Sequence, residues 1–286
     1  MLDSLAVVAF EVVTFGAIVV LVVSGLGIIV SMMGIFNFAH GELVLLGAYV
    51  TYLAHSLGLP VWAGMVAAPF LVGAIGFVLE RLIVRRFYAA PVAAMVATYA
   101  VGLVIRETVR GLIGGLYLAV PDPLGGSFQL GDLYVSKWRC AIVVTTAIVM
   151  AASYRLLNHT SFGLEVRASL ENPVLARASG ISTGRIYSAT FAFGAALAGL
   201  AGALIVPVFT LFADLGIRFL IQGFVAVMVG GVGSFAGSLV GAGVVGALNA
   251  SLPWIMAPVV ADVSVLLFAI LLVKVRPQGL VSKRGG

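Results

Sequence analysis

The sequence predicts an all-α fold, a polytopic membrane helical bundle of about eight transmembrane helices, because several runs exceed the roughly 18 apolar residues that mark a spanning helix. Composition points the same way. Hydrophobic residues make up 62% of the 286 residues and charged residues 9%, against about 25% charged in an ordinary soluble domain. Period-2 alternation is not evident, which favours helices over a membrane barrel. The whole chain, 1–286, reads as one transmembrane domain.

Taken in order, the apolar runs fall at 7–30, 38–56, 61–84, 92–112, 138–157 and 185–211, then at 218–252 with a glycine-rich interruption, and at 258–275. Whether the interrupted run counts once or twice decides between eight and nine passages, to the nearest helix. No Lys or Arg precedes Arg81, so the first run lacks the basic flank of a signal peptide and is expected to remain as a helix.

The first polar interruption is MGIFNFAHGELVLLG at 33–47, which places Asn37, His40 and Glu42 beside apolar spans. Ionisable groups there are unfavourable unless they face the bundle interior or a water-filled path. In a continuous helix Asn37, His40, Gly41 and Val44 share one face, with Glu42 about a hundred degrees from Gly41. Two readings stand. Asn37, His40, Gly41 and Glu42 line or gate a translocation path, or they cap and bend a helix start near the cytoplasmic interface. One His and one carboxylate at this spacing are not a metal ligand set.

A related pattern recurs as SFAGSLVG at 234–241. Like NFAHGELV it runs from a polar residue through Phe-Ala into a glycine-containing turn. Broken helices are therefore expected near 34–47 and 230–241, the second carried by Gly230, Gly231, Gly233, Gly237 and Gly241. Glycine and alanine fill eight of the ten positions in GAALAGLAGA at 194–203. In lipid such faces let helix backbones approach closely. They pack either within the chain or between subunits.

Glu80 with Arg81, and Arg106 with Glu107 and Arg110, fall at span ends, where ion pairs or interface anchoring account for them. Residues 113–137 and 212–216 read as connections, the first marked by Pro121, Asp122, Pro123, Gly125 and Gly126.

The longest stretch with both charge signs is NHTSFGLEVRASLENPVLARASGISTG at 158–184. Asn172 suits an N-cap, Pro173 the first helical position, Glu171 the positive end of the dipole and Gly180 a left-handed C-cap. A helix of about two turns from Pro173 to Ser179 follows. Val174, Leu175, Ala176 and Ala178 give it an apolar surface, and so short a helix must be held by its surroundings and covered by something. We expect a partner protein.

Positive charge orients the chain. Arg81, Arg85 and Arg86 follow the third span, Arg155, Arg167, Arg177 and Arg185 surround the polar stretch, and Lys274, Arg276, Lys283 and Arg284 close the chain, so that eleven of the sixteen Lys and Arg cluster in three segments. By the positive-inside rule these segments are cytoplasmic, with the N-terminus outside. The same placement accounts for the pI near 9.6 without nucleic acid, leaving lipid as the expected surroundings.

A single cysteine, Cys140, excludes an internal disulfide and a cysteine metal cluster. None of the three lysines sits in a Walker A loop, and no zinc-protease or nucleophile-elbow motif is present. Energy for active transport would have to come from another chain or from an ion gradient. A self-contained secondary transporter or channel for a small neutral solute is the alternative.

Several stretches resemble one family. They are GLGIIVSMMGIFNFAHGELVLLGAYV at 25–50, ERLIVRRFY at 80–88, SFGLEVRASLENPVLARASGISTGRIYSATFAFGAALAGLAGAL at 161–204, FVAVMVGGVGSFAGSLVGAGVVGAL at 224–248 and VRPQGL at 275–280. Together they resemble permease subunits of the branched-chain amino acid class of ABC importers, a family that also includes importers of urea and short-chain amides. That resemblance implies a bacterial inner-membrane assembly. Its parts would be a second homologous permease, two cytoplasmic ATPases that bind ATP and Mg, and an extracytoplasmic solute-binding protein, with no cofactor and no enzymatic role in this chain. It also implies that Glu171, Asn172, Pro173, Val174, Leu175, Ala176, Arg177, Gly180 and Ile181 dock the ATPase as a coupling helix. Asn37, His40, Gly41 and Glu42 match the family's signature near the path. The expected solute is a branched-chain or hydrophobic amino acid, or urea or a short amide; 96–112 and the C-terminal FAILLVKVRPQGL look closer to the urea and amide branch.

Overall fold

The computed structural model describes residues 2–130 and 133–281; Lys283 and Arg284, counted above as cytoplasmic charges, lie outside them. The first half consists of α1 (Leu2–Met33), α2 (His40–Ser56), α3 (Val61–Leu82), a 3-10 turn at Val84–Phe87, α4 (Pro91–Ile113) and a hairpin of β1 (Ser127–Leu130) and β2 (Leu133–Ser136). The second half holds α5 (Lys137–His159), α6 (Ser161–Glu171), α7 (Pro173–Ala178), α8 (Thr183–Ile205), α9 (Leu215–Gly230), α10 (Phe235–Ser251) and α11 (Pro258–Val275). Seven of these helices are long and apolar enough to cross a membrane: α1, α3, α4, α5, α8, α10 and α11. The apolar α9 has 16 residues and α2 has 17. The expected all-α membrane bundle is what forms, with both expected interruptions as real breaks, at 34–39 and 231–234.

Local chemistry sets the boundaries. Gly34, at φ +67°, follows the last residue of α1, a left-handed conformation that glycine adopts without steric penalty. Pro91 and Pro258 stand at the first turns of α4 and α11, where a missing N–H is harmless. The run read as a span over 185–211 ends its helix at Ile205, two residues before Pro207, which has no N–H to carry the hydrogen-bond ladder on.

At the centre lies α8, with 72% of its apolar window buried, whereas α11 has 17% and α4 and α5 22% each. The alanine- and glycine-rich face of α8 accounts for its central place. A Cβ at Gly194 would meet Ile29 and the Gly25 carbonyl of α1, one at Gly199 would meet Val72 and Ala68 of α3, and one at Gly202 would overlap the Val44 carbonyl of α2. These small-residue faces are therefore packed inside the chain. The same holds for Gly237 and Gly241 of α10, which lie against Gly230 and Ala226 of α9.

Two elements were not foreseen. The 113–137 connection contains the β1–β2 hairpin, with Ser127 opposite Ser136 and Leu130 opposite Leu133, and Leu118 pairs antiparallel with Leu211, between α8 and α9. The polar stretch contains α6 ahead of the short helix. Thr160 caps α6 by accepting from the Gly163 N–H at 3.4 Å, and Gly163 packs on the Leu157 carbonyl, so α6 turns sharply off α5.

Candidate functional site

The signature residues gather inside the protein. Asn37, His40 and Glu42 are fully buried, although Asn37 does not share a helical face with His40 and Gly41, as the spacing predicts. It stands in the turn before α2, where its Oδ1 accepts from the Ala39 N–H at 3.0 Å. An Asn preceding a helix start competes for backbone donors, and here that local bond wins over continuing the helix. Phe38 N–H donates to Thr98 Oγ1 of α4 at 3.1 Å, fixing the turn from its other side.

His40 Nε2 lies 3.0 Å from the Val22 carbonyl oxygen. A carbonyl only accepts, so Nε2 carries the proton and Nδ1 presents a lone pair. Gly41 packs on the backbone of Gly216, the second residue of α9. Glu42 accepts from Arg106 Nε at 2.9 Å and Nη2 at 2.7 Å, both on Oε1. Three polar atoms of this turn, Asn37 Nδ2, His40 Nδ1 and Glu42 Oε2, are buried without a protein partner. The space beside Asn37 is about 10 Å³, at the lower limit for one water. The site is packed shut in this conformation. His40 and Glu42 do not meet the third His, Cys, Asp or Glu that a metal needs among the described residues.

Arg106 belongs to the site; at a span end it reads as an ion pair or an interface anchor, and the ion pair is what forms, with Glu42. A second arginine one turn on, Arg110, bridges Glu107 and Asp214 at 2.7 Å each. Arg106 thus ties α4 to α2, and Arg110 ties it to Asp214, the residue before α9. The available signal was a basic residue in an apolar helix in a chain with a buried carboxylate elsewhere.

The second break is covered by the C-terminal tail. Leu280 N–H donates to the Val229 carbonyl at 2.9 Å and Val281 N–H to the Gly230 carbonyl at 3.1 Å. These are carbonyls that the end of α9 leaves unpaired. Gly279, at φ +76°, rests on Gly231, at φ +114°, and Gly233 is also left-handed. The resemblance in VRPQGL thus maps to a clasp on the break at 231–234.

In the polar stretch, α7 forms as its caps dictate. Asn172 Oδ1 accepts from the Leu175 N–H at 3.0 Å. Gly180 is left-handed at φ +85°, and Ile181 N–H reaches the Ala176 carbonyl at 2.9 Å and Gly180 N–H that of Arg177 at 3.0 Å, a Schellman ending. The helix ends at Ala178, with Ser179 as its cap, and Glu171 is the last residue of α6. Val174 and Leu175 are 68% and 63% exposed, while Ala176 is 4% exposed. Ala176 therefore seats the helix, and Val174, Leu175 and Arg177 present its outer surface.

A chain of contacts joins this unit to the membrane helices. The carbonyl of Ser169, in the last turn of α6, accepts from Tyr187 Oη of α8 at 2.8 Å. The Tyr187 ring meets Tyr88 edge-on at 5.1 Å, and the Tyr88 hydroxyl donates to the Glu80 carboxylate. Glu80, fully buried at the end of α3, also accepts from Ser188 Oγ at 2.5 Å and from Arg85 at 3.3 Å. Arg85 in turn donates to the Gly184 carbonyl at 2.9 Å. Burial, and then its bond to Glu80, pushes the Tyr88 phenol above the usual tyrosine range, so it remains a donor at all physiological pH. Nothing in the local sequence around Tyr88 or Tyr187 announces this pairing.

A family model described as the branched-chain amino acid transport system permease component matches residues 8–275. The chain is similar to the high-affinity branched-chain amino acid transport system permease protein LivH of Escherichia coli (strain K12), with 26% identity over 96% of this chain and 94% of the relative. It is equally similar to BraD of Pseudomonas aeruginosa, at 26% identity over 94% of this chain and 93% of the relative. The permease protein LivH of Methanocaldococcus jannaschii is 27% identical over 85% of this chain and 79% of the relative. No solved structure gives a significant match. The chain belongs to the branched-chain amino acid permease family and is a multi-pass membrane subunit of an ABC importer, which works with other subunits.

Proposed function

We propose that this chain forms one half of the translocation unit of an ATP-driven importer in a bacterial inner membrane. A second homologous permease completes that unit, two ATPases bind ATP and Mg on the cytoplasmic side, and an extracytoplasmic binding protein delivers the solute. The solute is a branched-chain amino acid, the class named in the relatives; urea and short amides, suggested by 96–112, are the competing class. The chain itself carries transport and no catalysis. The N-terminus lies outside and the C-terminus in the cytoplasm, in keeping with the clustered arginines.

The observation that carries this reading is the exposed α7. It is capped at both ends, seated by Ala176, and turns Val174 and Leu175 outward, with none of the described residues covering them. An apolar surface on a rigid short helix suits a pocket on an ATPase. Nucleotide-driven movement of α6 and α7 then passes through Tyr187 and Tyr88 to Glu80, and so to α3 and α8, whose close packing makes them move as one body. The breaks at 34–39 and 231–234 respond, and the orphaned polar atoms of Asn37, His40 and Glu42 become the lining of an opened path.

Purification from the native membrane, with identification of the co-purifying chains, tests the assembly. Reconstitution tests the energy source. Uptake of leucine, and not urea, is expected only with the ATPases, the binding protein and ATP all present; flux through this chain alone under an ion gradient would overturn the reading.

A further inference from the structure

The two breaks are fastened differently. At 34–39 the turn is fixed from α4, by the bond of the Phe38 N–H to Thr98 Oγ1, and from within, by Asn37. At 231–234, among the described residues, the hydrogen bonds that reach the end of α9 from outside α9 and α10 come from the C-terminal tail, from the N–H groups of Leu280 and Val281. The break itself holds two glycines of positive φ, Gly231 at +114° and Gly233 at +90°. Without a Cβ, glycine passes between such conformations and others at no steric cost, and a hinge needs residues that absorb a change of φ and ψ.

The tail lies where that hinge would turn. The place of a Cβ at Gly231 is closed off by the Gln278 carbonyl oxygen at 2.6 Å and the Val281 carbonyl oxygen at 3.2 Å, and a Cβ at Gly279 would stand 2.4 Å from the Gly231 Cα and N. Backbone rests on backbone, so neither side yields by a change of rotamer. Rotation about Gly231 has no clearance while the tail is seated.

The tail is also built to leave as a unit. Gly279 N–H donates to the Arg276 carbonyl at 2.9 Å, closing a turn with Pro277 in second place, where its fixed φ stiffens the chain. The turn hangs from α11, which has the smallest buried share of the seven spanning helices. Its seat consists of two neutral backbone bonds and the half-buried Leu280, which joins the apolar cluster shared by α1, α9, α10 and α11. Neutral bonds of this kind contribute modestly once water can replace them, and open space of about 360 Å³ beside Arg276, Gln278 and Leu280 gives the turn room to withdraw.

We propose that residues 277–281 are a latch: seated, they hold the 231–234 break in its closed form, and they leave their seat in each transport cycle so that the break can rearrange. A permanent helix cap would make the same bonds and never release them. The inference rests on the importer reading, which assigns movement to this break.

The test uses the assembled importer in vesicles, with Cys140→Ser as background and Val232→Cys and Gln278→Cys at two exposed positions flanking the contact. A reducible bifunctional thiol reagent joins the pair in the absence of ATP. Compared with its own unjoined form, the joined importer should lose ATP-dependent leucine uptake and regain it when reductant cleaves the link. Full uptake with the link in place overturns the proposal, because transport would then proceed with the tail seated. Gly279→Ala, which cannot seat against Gly231, should raise ATP hydrolysis in the absence of solute several-fold and lower uptake per ATP, with the ATPases still bound and a cooperative thermal transition as evidence of folding. Unchanged hydrolysis and unchanged uptake per ATP in that folded variant make the tail a structural cap and also overturn the latch; if the variant does not fold, the cross-link decides alone. Failure of the complete wild-type system to take up any solute with ATP would instead remove the importer reading on which the inference rests.

Discussion

Glu42 and Arg106 form a buried pair across 64 residues of sequence, with both guanidinium donors on Oε1 and Oε2 left without a partner. The side chains are 0% and 13% exposed. Removing one member of such a pair leaves a buried charge uncompensated, a loss of about 3–5 kcal/mol. Glu42→Gln is therefore expected to lower the thermal midpoint of the purified complex and to abolish uptake. Glu42→Met combined with Arg106→Met replaces both charges by apolar side chains and should recover most of the stability, since an apolar replacement of a buried pair is often near neutral. Transport should stay lost in the double variant if the carboxylate lines the path. Recovery of both stability and uptake would make the pair a structural strut only.

The docking surface makes opposite predictions for neighbouring residues. Leu175→Asp changes an exposed side chain, so the chain should fold normally and lose ATPase binding, lowering ATP-dependent uptake by about tenfold or more. Ala176→Asp places a carboxylate in a buried seat and should destabilise the fold itself by about 3 kcal/mol. Thermal melting of the chain with and without the ATPases separates the two effects. Full uptake with Leu175→Asp would refute α7 as the contact.

Transmission through the tyrosines is open to a milder substitution. Tyr187→Phe keeps the ring against Tyr88 but deprives the Ser169 carbonyl of its donor; the stability loss should be about 1 kcal/mol. Because α7 is untouched, the ATPases should remain bound and hydrolyse ATP while uptake per ATP falls several-fold. Glu80→Gln should uncouple likewise, since Arg85, Tyr88 and Ser188 all converge on that carboxylate. Unchanged coupling ratios in both variants would show that motion enters the membrane helices by another route.

What sequence could reveal here divides by distance along the chain. The caps of α7 involve Asn172, Pro173 and Gly180, whose preferences act within a few residues, so that helix was legible before folding was considered. The apolar runs were legible for the same reason: each spans the bilayer by its own composition. Of the two readings of Asn37, the shared helical face gave way to the bend at a helix start, because two local tendencies compete there, helical continuation and a side-chain bond to the Ala39 N–H, and helical periodicity registers only the first. The Glu42–Arg106 pair and the Tyr187–Tyr88 contact are set by how helices pack, which composition alone does not specify. For α6 the missed signal was Val166 and Ser169 with Gly163, one buried face at helical spacing within a stretch whose capping residues pointed only to the short helix from Pro173.

Glycine in α8 and α10 offers a test of whether small residues hold the bundle together by close approach or are merely tolerated. A Cβ at Gly202 would overlap the Val44 carbonyl of α2, whereas one at Gly243 would meet nothing within 4 Å. Alanine is intrinsically the better helix former by about 0.8–1.0 kcal/mol. At Gly202 that gain is outweighed, because backbone cannot move aside as a flexible side chain does, and overpacking of a tight contact typically costs about 1–3 kcal/mol. Gly202→Ala should therefore lower the thermal midpoint of the isolated chain, while Gly243→Ala should leave it unchanged or raise it. A loss confined to the assembled importer with Gly243→Ala would identify that face of α10 as one covered by another subunit. Equal losses from both substitutions in the isolated chain would mean that approach of α8 to α2 is not what Gly202 secures.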